Sequence, residues 1–92
     1  MKKHSTDELR RYRARTRIVL AGRDPADSFG FVNPPIVRGS TVVYPTMEDF
    51  LQRKARFAYG TKGNPTLEAL ETALNSLEGG AGVVVCPSGL LA

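Results

Sequence analysis

YGTKGNPTLEALETALNSLEGGAGVVVCPSGLLA, residues 59–92, is the stretch whose reading decides the fold. It predicts a glycine-bracketed turn, an amphipathic helix, a buried strand, and a small-residue turn that opens a second helix. Asn64 suits the N-cap, where a side-chain oxygen accepts from an otherwise free first-turn amide. Pro65 suits the first helical position, which needs no N–H. Glu68 and Glu71 bring negative charge towards the positive end of the helix dipole. Leu67, Leu70, Leu74 and Leu77 recur at helical spacing and form one apolar stripe. Gly79 and Gly80 stop the helix, because glycine enters the left-handed conformation at little steric cost. Residues 82–86, GVVVC, are short, apolar and without polar alternation, the pattern of a strand covered on both faces. Pro87, Ser88 and Gly89 then turn the chain, and Leu90, Leu91 and Ala92 read as the start of another helix.

The expected class is therefore α/β with a mostly parallel sheet. Parallel strands are joined by crossovers of about a dozen residues or more, and no second buried strand is evident to pair with residues 82–86. The expectation is the N-terminal piece of a larger α/β protein. The composition is 41% hydrophobic, a little under the usual globular range, and 24% charged, an ordinary value for a soluble chain. No apolar run approaches the length of a membrane span, and the basic N-terminus leads into Asp7 and Glu8 with no signal-peptide core. A cytoplasmic protein without membrane contact is expected. One cysteine excludes an internal disulfide and any cysteine-rich zinc site, and no metal site is expected. Cys86, at the end of the expected strand, is read as a packing residue.

Upstream, Ser5 or Thr6 caps one expected helix that runs to Gly22. Asp7 and Glu8 lie in its first turn, and Leu9, Tyr12, Thr16, Val19 and Leu20 lie roughly on one side. Arg10, Arg11, Arg13, Arg15 and Arg17 fill much of the rest and account for most of the net charge of +4. They read as a solvated face in preference to an anion-binding one. Residues 23–46 are punctuated too closely by glycine and proline for a long helix, and Asn33-Pro34-Pro35 forces extended backbone. Only residues 40–44 look like a strand. Phe29, Phe31, Val32, Ile36 and Val37 have little local core to enter, which points to an arm lying across another surface, often a neighbouring subunit. Thr46 then caps a helix expected over residues 47–56, with Met47, Phe50 and Leu51 inward.

Two turns can carry chemistry. In the second, Ser88-Gly89-Leu90 follows the expected strand and opens a helix, so free amides and a hydroxyl could hold a phosphate. In the first, Tyr59-Gly60-Thr61-Lys62-Gly63 offers a phenol, a hydroxyl and an ammonium, all suited to the same anion. Judged singly, each turn reads more readily as an ordinary connector, and the second lacks the three glycines of a dinucleotide fingerprint.

Taken in order, the motifs resemble the transsulfuration family of pyridoxal-phosphate enzymes, which includes cystathionine β-lyases, γ-synthases and γ-lyases. The residues that carry the resemblance are Thr16-Arg17, Ala21-Gly22-Arg23, Val32-Asn33-Pro34-Pro35 and Arg38-Gly39-Ser40-Thr41. They continue with Tyr59-Gly60, Gly63-Asn64-Pro65-Thr66, Leu77-Glu78-Gly79-Gly80 and Pro87-Ser88-Gly89-Leu90. Within the family, GRDP…GFVNPPIVRGSTVVYPT is most similar to the bacterial β-lyases.

The resemblance implies the first quarter of a fold-type I, transferase-like subunit, with arm helices followed by the start of a mixed sheet. Residues 1–58 would embrace the neighbouring subunit, and residues 59–92 would begin the large domain that binds pyridoxal 5′-phosphate. Gly89 and Leu90 would give amides to the phosphate of the subunit's own cofactor, with Ser88 adding a hydroxyl. Tyr59 would reach the neighbour's cofactor phosphate. Many members carry arginine two residues after that tyrosine. Here Thr61 stands there, able to donate one hydrogen bond but without charge or fork, and Lys62 could return the charge from the next position.

The lysine that forms the Schiff base, the aspartate on the pyridine nitrogen and the stacking aromatic ring are implied to lie beyond Ala92. No catalytic residue is expected among these 92. The whole protein is implied to be a homo-oligomer, a dimer of active units assembling into a tetramer. Its substrate would be an amino acid, cystathionine, cleaved by β-elimination in methionine biosynthesis. Two rivals stay open. One is γ-elimination or γ-replacement within the family. The other is a small basic protein that binds nucleic acid or an acidic partner through the arginine-rich helix, with affinity falling steeply in salt.

Overall fold

The computed structural model describes residues 3–92. Its elements in chain order are α1 (Thr6–Arg10), α2 (Ala14–Leu20), a 3-10 turn at Pro25–Ser28, α3 (Met47–Leu51), a second 3-10 turn at Gly60–Lys62, and α4 (Pro65–Glu78). The centre is α4, against which both α1 and α2 pack.

α4 forms as its sequence prescribes. Asn64 accepts from the Leu67 amide at 2.9 Å, Pro65 opens the helix, and Gly79 closes it at φ 68°. The leucine stripe is only partly covered, because Leu67 and Leu77 are half-buried whereas Leu70 and Leu74 face outward. Ala69, Leu70 and Ala73 line a cleft opposite Ile18, Val19 and Ala21. The closest approach is between two small residues, Gly22 and Ala69. At Gly22 (φ +80°) an added Cβ would overlap the Ala69 carbonyl, so glycine is required there on both counts.

The single N-terminal helix expected from the sequence is two helices. Ser5 caps α1 with a reciprocal box: its hydroxyl accepts from the Glu8 amide at 3.2 Å, and the Glu8 carboxylate accepts from the Ser5 amide at 3.3 Å. The chain leaves the helix at Arg11 and turns extended at Arg13 (φ −66°, ψ 158°) before α2 begins. Continuing the helix through the break would set Arg11 over Arg15, a like-charge pair that disfavours helix. The break turns Leu9 inward, and it is buried. α3 is also shorter than residues 47–56. Thr46 caps it as expected, accepting from the Asp49 amide at 3.1 Å, but Gln52 ends it and Arg53 takes a left-handed φ of 53°. Met47, Phe50 and Leu51 are exposed, not inward, with Phe50 edge-on to Tyr44 at 5.4 Å.

The expected strands are absent among the described residues. Residues 82–86 have no ladder, and Val84 is exposed. Residues 40–44 provide only one antiparallel bridge, between Thr41 and Tyr59. Strand geometry is held by hydrogen bonds to a neighbouring segment, and no described segment lies alongside residues 82–86. Cys86 is correspondingly half-buried, not a core thiol. The last residues make a turn in place of a helix, and Leu90 is 100% exposed.

Among the described residues the buried apolar set is small: Leu9 and Ala21 at 5% exposure, and Pro25, also buried. The chain exposes 7530 Å², against about 5,200 Å² for a compact monomer of this mass. Its radius of gyration is 15.0 Å, against about 12 Å for a compact domain of this length.

Candidate functional site

Tyr59 sits where the arm meets the turn before α4. Its backbone is extended (φ −166°, ψ 150°) and bridges Thr41, and the next amide, Gly60 N–H, donates to the Ser40 carbonyl at 2.6 Å. The two strands of chain are so close that a Cβ on Gly60 would overlap the Gly39 carbonyl oxygen. Glycine is needed at position 60 for space alone. The Tyr59 ring is 46% exposed and lines a shallow cavity with Thr41, Tyr44, Phe50 and Leu51. Thr61 and Lys62 follow on the 3-10 turn with exposed side chains, and the Lys62 amide donates to the Tyr59 carbonyl at 2.8 Å. The phenol, hydroxyl and ammonium thus lie on one exposed turn.

Two features invisible to local patterns fix this turn against α4. The first is Arg56. Its guanidinium donates to the Asp27 carboxylate, from the 3-10 turn at Pro25–Ser28, and to both carboxylate oxygens of Glu68, in the first turn of α4. It also lies over the Phe57 ring, 4.9 Å from the centroid. The hydrogen bonds to Glu68, then to Asp27, push Arg56 above its already high ordinary pKa, so its charge is permanent. The second is Thr66. Its hydroxyl accepts from the Val37 amide at 2.7 Å and donates to the Pro35 carbonyl, tying the extended arm to α4. Asp27 and Arg56 are 29 residues apart, and Pro35 and Thr66 are 31 apart. Glu68 read from sequence as a dipole partner, and Thr66 only as part of a motif.

The second turn is built by Ser88. Its hydroxyl accepts from the Leu91 amide at 3.3 Å, and its carbonyl accepts from the Ala92 amide at 3.2 Å. Among the described residues the intervening amides of Gly89 and Leu90 meet no acceptor. Gly89 and Leu90 are both exposed, so the approach to this turn is open. Two adjacent unengaged amides, an open approach and a hydroxyl still able to donate are a donor set for an anion. Ser88, Gly89 and Leu90 do not line the Tyr59 cavity.

The sequence pattern of the Cys/Met metabolism PLP-dependent enzymes matches residues 15–92, from the first turn of α2 through the Ser88 turn. The chain belongs to that family. A candidate cystathionine β-lyase of Rhizobium johnstonii is 47% identical over 77 residues, covering 84% of this chain and 19% of that protein. A candidate cystathionine β-lyase of Saccharomyces cerevisiae is also 47% identical, over 83 residues, covering 90% of this chain and 24% of that protein. L-methionine γ-lyase of Pseudomonas putida is 37% identical over 79 residues, covering 82% of this chain and 20% of that protein. The chain thus spans about a fifth to a quarter of the length of these relatives. Names carried at 34% to 37% identity range over β-lyase, γ-lyase, γ-synthase and racemase.

The family depends on pyridoxal phosphate, whose phosphate is an anion of the kind that free backbone amides accept. The donor set fits such a group: backbone N–H groups, small side chains and no competing carboxylate in the turn. No helix among the described residues is long and apolar enough to cross a membrane.

Proposed function

We propose that this chain is the N-terminal part of a fold-type I pyridoxal-phosphate lyase that cleaves cystathionine by β-elimination. The observation that carries the reaction is the 47% identity to two proteins both described as candidate cystathionine β-lyases. In this reading residues 1–58 form the arm that lies on a neighbouring subunit, and residues 59–92 open the cofactor domain of a cytoplasmic homo-oligomer. The exposed arm residues Phe29 and Ile36, 96% and 80% accessible, support a role in covering another surface.

Bound pyridoxal phosphate supplies an electron sink for the negative charge that develops at the amino-acid α-carbon. The residues of this chain hold its phosphate. Gly89 and Leu90 donate backbone N–H groups, and Ser88 adds its hydroxyl. Tyr59 donates its phenolic proton to the phosphate in the partner's site, with Thr61 giving a second hydrogen bond and Lys62 a point charge. By anchoring the phosphate, these residues would hold the cofactor in one position relative to the substrate. The Cβ–S bond of cystathionine then breaks, and the sulfur leaves with a proton as homocysteine. The three-carbon remainder takes up one water and yields pyruvate and ammonia. The Schiff-base lysine and the partner of the pyridine nitrogen lie outside residues 1–92 in this reading.

The deciding experiment reads the coding DNA past Ala92, expresses the complete frame and supplies L-cystathionine. Pyruvate with homocysteine is the expected product pair. Release of 2-oxobutyrate with cysteine would move the protein to γ-elimination, the reading to which the methionine γ-lyase relative lends weight.

A further inference from the structure

We propose that Arg56 is a positioning residue that sets Tyr59 for its phosphate contact, an inference that rests on the cofactor reading of Tyr59 given above. Only Phe57 and Ala58 separate the two residues, so the backbone allows them at most about 11 Å of Cα separation. The short segment is pinned at both ends. On the Tyr59 side it is held to the arm, through the Thr41 bridge and the Gly60 N–H to Ser40 carbonyl bond of 2.6 Å. On the Arg56 side one guanidinium joins Asp27, in the Pro25–Ser28 turn, to Glu68 in the first turn of α4. The arm contacts say where Tyr59 lies relative to residues 39–41. Arg56 says where it lies relative to α4, the helix that connects directly into residues 82–91.

The chemistry of the contact suits positioning more than stability. The Arg56 side chain is 51% exposed, and ion pairs with such exposure contribute little to global stability. A planar fork held by two carboxylates and laid over an aromatic ring fixes direction as well as distance. Lysine would keep the charge and lose that geometry. Loss of Arg56 should therefore loosen the Tyr59 turn while leaving the unfolding midpoint nearly in place.

The test uses the complete subunit and pyridoxal 5′-phosphate as the probe. Cofactor Kd is measured by titrating the apo protein, and the apo thermal midpoint is recorded alongside, for Arg56→Met, Tyr59→Phe and the double variant. Both single variants should raise Kd about tenfold, and the double variant should be no worse than Tyr59→Phe alone, the mark of two residues acting as one. The midpoint for Arg56→Met should stay within about 3 °C of the parent. Arg56→Lys should recover only part of the affinity.

If Arg56→Met lowers the midpoint steeply, Asp27→Asn, which removes one arm of the fork, replaces it in the same cycle. An unchanged Kd for the Arg56 variants beside a weakened Tyr59→Phe would overturn this proposal and spare the cofactor reading. Fully multiplicative effects would do the same. An unchanged Kd for Tyr59→Phe would remove both.

Discussion

Thr66 illustrates how much one hydroxyl can organise. It accepts from Val37 N–H and donates to the Pro35 carbonyl, so a side chain in the first turn of α4 serves two backbone groups of the arm. Thr66→Val keeps the shape and deletes both bonds, leaving the Val37 amide without its acceptor. The expected cost is about 1–2 kcal/mol, read from chemical denaturation of the complete subunit, with faster hydrogen exchange at Val37. Thr66→Ser should restore most of it. Gly60 makes a complementary case, where the requirement is empty space. Gly60→Ala drives a methyl into the Gly39 carbonyl oxygen and the Ser40 Cα, and must part the Gly60–Ser40 hydrogen bond. A loss of about 1–3 kcal/mol is expected, together with weaker cofactor binding because the same bond holds Tyr59. A fully tolerated Gly60→Ala would show that the arm and the turn are not in register.

Among the elements, α4 is the one whose ends are written in local chemistry. Asn64→Ala removes the acceptor for the Leu67 amide and should cost about 1 kcal/mol of unfolding free energy, read as a lower urea midpoint, whereas Asn64→Asp should be close to neutral. The Thr46 cap was equally legible, and the N-terminal cap was narrowed to Ser5 or Thr6, since each cap acts over three residues. The same reading failed where it relied on apolar spacing alone. Leu70, Leu74, Met47 and Leu51 have helical spacing, yet they face outward because no other element covers them. The N-terminal helix failed for another reason: five arginines between Arg10 and Arg17 contribute no i,i+4 attraction, and the chain breaks to bury Leu9. Residues 82–86 have the composition of a strand and none of its pairing. The donors proposed for the site were read from the sequence as two turns, whereas the tertiary contacts of Arg56 and Thr66 were not legible there.

The whole molecule has a hub and little core. Accessible area and radius of gyration both exceed those of a compact domain of this size, and the apolar residues of the arm and of residues 84–91 are largely uncovered. A polypeptide of residues 1–92 alone should therefore bind a hydrophobic dye such as ANS and unfold over a broad denaturant range with a small slope. A sharp two-state transition without dye binding would mean that the packing of α1 and α2 on α4 suffices for a stable fold. Arg56 adds no pH dependence near neutrality. Its pKa is raised on folding, so its contribution is fully present below the ordinary arginine value and lost only above it.

The amino-acid sequence by itself determined the helix caps, the proline-extended arm, the two donor-rich turns and the motif order that marks the family. These depend on backbone chemistry within a few residues, or on a linear pattern that needs no third dimension. The tertiary structure decided which apolar faces are covered, that the N-terminal helix divides, and that residues 82–86 stand without a ladder. It also decided that Arg56 joins Asp27 to Glu68 and that Thr66 clasps the arm. Burial and ion pairing are properties of surfaces that meet, and no spacing along the chain specifies a partner 29 or 31 residues away.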